Sequence, residues 1–157
     1  MKISIRGAKN RTMAANLKLA ATYYGYVLFS RQMLPFISLD IRIKKSLGYN
    51  GLCGPVDPAK PREFEIELKQ MPRMNLLVTL AHEMVHCKQF AYGELKDVLV
   101  KKQLRTFWRG QDYHDVDYWD HPWEFEAFGL ETSLAAKFLR DTNLYLYFGQ
   151  RYKDWNK

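Results

Sequence analysis

The chain has 157 residues, 47% hydrophobic and 15% aromatic, which suits one globular domain with a sizeable core and excludes a disordered or low-complexity polymer. Its net charge of +7 is uneven, because residues 1–50 carry nine Lys or Arg against one acid, Asp40. That asymmetry fits either a solubilising face or a surface for nucleic acid or an acidic partner, but no compact basic run with interleaved stacking aromatics is present.

Ile3 and Ile5 predict a short opening strand closed by Gly7, and the first six residues lack the apolar core of a signal peptide. From about Thr12 to Met33, the residues Met13, Leu17, Ala20, Ala21, Tyr24, Val27 and Leu28 recur at helical spacing. They predict a helix whose apolar stripe packs on a sheet, started by Asn10 or Thr12 and ended by Pro35. Residues 36–44 alternate apolar and charged, as a strand with one dry face does. Residues 46–62 hold Gly48, Gly51, Gly54, Pro55, Pro58 and Pro61 and read as an irregular connection. Residues 63–69 alternate again with Phe64, Ile66 and Leu68 inward, and the two alternating runs are expected to pair.

A helix is expected from Asn75 to near Gly93, then a strand or hairpin within Leu95 to Arg109, and an acidic, aromatic loop over 110–120. A last helix opens at Pro122 behind Asp120 or His121 and runs to about Leu139, with Phe125, Phe128, Leu130, Leu134, Ala135 and Phe138 as its apolar positions. The tail over 143–157 alternates aromatics at Tyr145, Tyr147 and Tyr152, a pattern open to either strand or helix. No stretch approaches 18 uncharged apolar residues, so no membrane span is expected. Two cysteines, Cys53 and Cys87, are too few for a disulfide framework. A cytoplasmic chain folded as one domain over 1–157 is the expectation.

The chemistry concentrates in His82-Glu83-Met84-Val85-His86. Residues four apart on a helix lie one above the other, so both imidazoles reach one metal ion while Glu83 reaches a water beside it. Apolar neighbours at 76, 77, 78, 80, 81, 84, 85 and 87 predict a buried helix, and buried imidazoles and carboxylates need partners. One zinc per chain is the expected partner. A catalytic zinc takes three protein ligands, and the candidates for the third are His114, His121, Glu124 and Glu126. Glu124 and Glu126 lie about 200° apart on a helix, so at most one faces the metal.

The pairing of this motif with Glu126-Ala127 on a later helix resembles the gluzincin group of zinc metallopeptidases, in which a glutamate followed by alanine completes the site. Adding Gln89, Trp108-Arg109-Gly110 and Pro122-Trp123-Glu124-Phe125-Glu126-Ala127, the region 36–140 also resembles small SprT-like and phage-encoded metallopeptidases. The resemblance implies an α+β, zincin-like domain: an N-terminal helix on a small mixed sheet, the histidine helix, and a C-terminal ligand helix. It implies His82, His86 and Glu126 as zinc ligands. The sequence departs from relatives in three ways. SprT-like proteases use a third histidine, which keeps His114 and His121 in play. Residue 92 is Tyr and no methionine follows Met84, which excludes the metzincin pattern. Position 130 is Leu where thermolysin-type enzymes place an acid, so the acceptor orienting a histidine ligand must come from elsewhere.

The expected activity is zinc-dependent peptide hydrolysis with Glu83 as general base. Tyr118 and His114 are the candidates to steady the developing oxyanion. Residues 63–69 are a candidate edge for an extended peptide. The alternative is a nucleic-acid-associated or assembly protein working through its basic first third, with the protease site secondary.

Overall fold

Alternation of apolar and charged residues makes the main sheet one-sided. The structure, a computed structural model, describes residues 1–149, so Tyr152 and its part of the expected tail pattern lie outside the described residues. Strands β1 (Lys2–Arg6), β2 (Ser38–Lys44), β3 (Gly51–Pro55) and β4 (Glu63–Lys69) form a sheet ordered β1-β2-β4-β3. The first three in that order are parallel, and β3 runs antiparallel to β4 at the edge. The two alternating runs pair as expected, with Ser38 opposite Glu63 and Lys44 opposite Lys69. Leu39, Ile41, Ile43, Phe64, Ile66 and Leu68 are buried on one face. On the other face Asp40 meets Arg6 and Arg42, Arg42 meets Glu65 at 2.7 Å, and Lys44 meets Glu67.

Two expectations are corrected here. β3 forms inside the Gly- and Pro-rich stretch read as irregular; an edge strand tolerates Pro55, whose missing N–H faces away from a ladder. Because β3 pairs with β4, residues 63–69 are paired on both sides, and the free edge beside the histidine helix is β3.

Helices cover the dry face. Helix α1 (Arg11–Leu28) starts where Asn10 Oδ1 accepts the Met13 N–H at 2.8 Å. It ends before Met33: Phe29 turns extended, and Pro35 sits in a separate 3-10 turn, Leu34–Phe36. Its buried side, including Leu17, Ala21 and Tyr24, packs on β1 and on helix α2 (Arg73–Ala91), and the Tyr24 hydroxyl donates to Leu77 O at 3.3 Å. Thirteen residues of α2 are buried, so it is a central helix rather than an amphipathic one.

The segment after α2 is a hairpin of β5 (Leu95–Val100) and β6 (Gln103–Trp108), extended by a two-residue strand β7 (Gln111–Asp112). Its turn places Lys101 and Lys102 at φ of 48° and 67°, left-handed positions usually given to Asn or Gly. Helix α3 (Pro122–Thr142) packs along α2 and closes at Asn143, and the single turn α4 (Tyr145–Phe148) sets Phe148 against Phe138 at 6.0 Å. Of the positions expected on the buried stripe of α3, Leu134, Ala135 and Phe138 are buried, whereas Phe125, Phe128 and Leu130 are exposed and Trp123 and Ala127 are buried in the first turns instead. Among the described residues no helix is long and apolar enough to cross a membrane.

Candidate metal centre

Helix α2 delivers His82 and His86 from one face, and their Nε2 atoms point at each other across 3.0 Å. Glu124 of α3 closes the triangle, with Oε2 at 3.2 Å from His82 Nε2 and Oε1 at 3.5 Å from His86 Nε2. One ligand atom from each of the three lies within 4.8 Å of the others, and all three residues are less than a tenth exposed.

The carboxylate is Glu124, not Glu126. At about 100° per residue, positions 124, 127, 131, 134 and 138 share the arc of α3 that faces α2, and 126 falls outside it. The i, i+4, i+7 set on that arc surrounds one ring. Glu124 meets His82 Nε2, Phe128 lies edge-on with centroids 4.8 Å apart, and Glu131 Oε2 lies 2.8 Å from His82 Nδ1. Glu126 instead accepts from Gln89 Nε2 at 2.8 Å and from Lys88 Nζ at 3.1 Å. The other candidates also fall outside the triangle. His114 is exposed, with its backbone N–H on Asp112. His121 reaches the cleft wall, but its Nε2 is 2.9 Å from Val116 O and its ring stacks on Trp123 at 4.2 Å.

Donors and acceptors around the histidines fix the roles of their nitrogens. Gln89 turns its NH2 group to two groups that only accept, Trp123 O at 3.0 Å and Glu126 Oε2 at 2.8 Å. Its Oε1 therefore faces His86 Nδ1, 2.8 Å away, and that nitrogen must carry hydrogen. The Glu131 carboxylate imposes the same on His82 Nδ1. In the neutral rings both lone pairs then sit on Nε2, aimed at each other and at a carboxylate. Such a set is satisfied only by a cation among them: a metal ion or, failing that, a proton. The residues fit a metal. Comparison with protein-family models, with curated proteins and with solved structures gives no match.

Electrostatics point the same way. Burial opposes charge on His82, yet Glu124, Glu83 and Glu131 outweigh it and hold its pKa above the ordinary histidine value. Burial likewise opposes charge on Glu124, but His82, His86 and Tyr118 hold it well below the usual carboxylate range. Tyr118, the expected oxyanion donor, gives its hydroxyl to Glu124 Oε2 at 2.9 Å, and its pKa is raised, first by burial and then by that carboxylate. Glu83 differs: burial pushes its carboxyl up to about 7, against the pull of His86 and His82. One site thus holds an ionised carboxylate and, one helix position from a histidine, a carboxylate poised near neutrality.

The cluster opens into a cleft of about 450 Å³. Its floor holds His82, Glu83, His86 and Glu124. One wall is edge strand β3 with Gly51 and Cys53, and the other includes Leu95, Asp97 and Thr106 of the hairpin. Strand and helix meet without clearance at Gly51, where a Cβ would collide with Glu83 Oε1 and Thr79 Cγ2. From the hairpin a polar chain leads back to the centre: Arg109 to Glu94 at 3.0 Å, Glu94 to Lys88 at 2.7 Å, Lys88 to Glu126, and Glu126 to Gln89. Gln89 and Glu131 as partners of the histidine Nδ1 atoms were missed by sequence reasoning, and Glu124, one of the four candidates for the third ligand, was ranked behind Glu126. The signals were present: Gln89 stands three residues after His86, and Glu124 and Glu131 stand seven apart.

Proposed function

We propose that the chain is a zinc-dependent metallopeptidase of zincin-like architecture, with His82, His86 and Glu124 holding the metal and Glu83 as general base. The observation that carries this reading is the convergence of two Nε2 atoms and a carboxylate beside a buried, near-neutral glutamate at the floor of an open cleft. Two nitrogens and one oxygen suit zinc, and three protein ligands rather than four suit a catalytic ion.

When bound, zinc supplies Lewis-acid polarisation of the scissile carbonyl and brings the attacking water towards neutral acidity. The chain's own residues do the rest. Glu83, buried one position from His82, would take a proton from the attacking water and pass it to the leaving amine. Glu131 and Gln89 keep the two imidazoles turned with Nε2 towards the centre. Tyr118 holds Glu124 and stands on the cleft wall, where it is the candidate to steady the oxyanion; His114 is exposed and is not among the residues lining the cleft, which makes it the weaker candidate. Strand β3 supports a peptide substrate. Residues 50, 52, 54 and 56 face β4 in its ladder, so the N–H and C=O groups of Gly51 and Cys53 point to the open side, where an extended chain adds as a further strand.

The nucleic-acid alternative draws less support. Arg6, Arg42 and Lys44, three of the nine basic residues in the first third, are engaged with Asp40, Glu65 and Glu67. The deciding experiment measures zinc per chain and hydrolysis of an unstructured protein such as casein, for the native chain and for Glu83→Gln. The reading expects one zinc in both and hydrolysis only in the native chain. Undiminished hydrolysis by Glu83→Gln removes the proposed base.

A further inference from the structure

The chain has only two cysteines, and the fold brings them together from 34 residues apart: Cys53 Sγ on β3 and Cys87 Sγ on α2 are 3.2 Å from each other. Among the described residues neither sulfur has another hydrogen-bond partner. The placement follows from matched spacings. Gly51 and Cys53 lie on the same side of β3, about 6.6 Å apart along a strand. Glu83 and Cys87 lie one turn apart on α2, about 6 Å along a helix. Gly51 packs on Glu83, so Cys53 falls on Cys87. Cys87 is buried, whereas Cys53 is half-buried and is among the residues that line the cleft, and burial and the Cys87 sulfur hold its thiol pKa above the ordinary cysteine value.

We propose that Cys53 and Cys87 form a two-thiol redox site, oxidised by peroxides to a disulfide that staples the substrate-edge strand to the histidine helix. The bond closes a gap of about 1.2 Å beyond the ordinary S–S length, within the reach of small side-chain and strand movements. In the chemistry, the Cys53 sulfur attacks the peroxide O–O bond, forming a sulfenic acid and releasing one water. The Cys87 sulfur then displaces the hydroxyl as a second water while the S–S bond forms. Two thiols lose two electrons and two protons, and one peroxide becomes two waters. The staple fixes β3 at the register that sets Gly51 against Glu83. It requires neither metal nor hydrolysis.

The test uses the full chain, reduced and freed of reductant, then exposed to hydrogen peroxide with and without later dithiothreitol. Thiol titration in denaturant is expected to fall from two thiols per chain to none, and intact mass to fall by about 2 Da. Non-reducing peptide mapping should join the segments containing Cys53 and Cys87 within one chain. The melting temperature should rise by roughly 5–10 °C, as expected for closing a loop of this length, and dithiothreitol should reverse every change. Cys53→Ser, which keeps a small polar side chain on β3, should show neither the mass loss nor the thermal rise. Mass gains of sulfinic acid, disulfides only between chains, or a thermal rise that persists in Cys53→Ser would each overturn the proposal.

Discussion

The two faces of the main sheet use the same side chains to opposite ends. On the outer face Asp40 lies among Ser4, Arg6 and Arg42 in reach of water, and its carboxyl is held at about 2, chiefly by the Arg6 hydrogen bond. Beneath the other face Glu83 is buried beside two histidines and two further carboxylates, and its carboxyl is pushed up to about 7. A charge on the outer face costs little to hold, because solvent shares the work. A charge under the helices has to be matched group by group, which Glu131, Gln89, Glu126 and Tyr118 do for His82, His86 and Glu124. The comparison separates charges that decorate a fold from charges that the fold is arranged to present.

The largest expected effect lies in that matching. Glu131→Ala and Gln89→Leu should each weaken zinc binding about 10- to 100-fold, roughly 1.4–2.7 kcal/mol, read by competition with a chelating dye. Unchanged affinity would mean that the two Nδ1 contacts do not orient the rings. Gly51→Ala should destabilise the chain by roughly 1–3 kcal/mol in denaturant unfolding, because the added methyl meets Glu83 and Thr79. An innocuous methyl there would show that strand and helix are less tightly apposed.

A third variant separates the two carboxylates by pH. The native pKa of Glu83 is raised, so its contribution to stability is fully present below the unfolded value of 4.5 and is lost as pH rises through about 7. In chelator, Glu83→Gln should therefore stabilise the metal-free chain by roughly 1–3 kcal/mol at pH 8, and by much less at pH 5. An equal difference at both pH values would contradict burial of the ionised carboxylate. Asp40 runs the other way: its pKa is depressed, so its contribution is present above 3.8 and is lost as pH falls through about 2. The smallest effect belongs to it. Asp40→Asn should cost under about 1 kcal/mol at pH 7, and less still in high salt.

How much of this was legible in the sequence depended on whether the signal was periodic. β2 and β4 announced themselves by strict alternation, and α2 by a motif set in apolar residues. β3 did not, because Gly51, Gly54 and Pro55 read as loop until an edge position and close approach to Glu83 explain them. The β5–β6 turn was hidden because two lysines occupy left-handed positions that the sequence does not advertise. Sequence reasoning followed Glu126-Ala127, whereas Glu124, on the face of α3 towards His82 and His86, completes the candidate metal cluster. Glu124, Ala127, Glu131 and Leu134 mark the side of α3 towards α2, and Glu126 lies off it. The Cys53–Cys87 contact joins elements 34 residues apart, and no local pattern predicts it.

The choice between the two glutamates also gives the most direct test of the metal centre. Zinc content per chain should be measured after gel filtration for the native protein, Glu124→Ala and Glu126→Ala side by side. The geometry predicts one zinc in the native chain and in Glu126→Ala, and almost none in Glu124→Ala. Zinc retained by Glu124→Ala and lost from Glu126→Ala would contradict it.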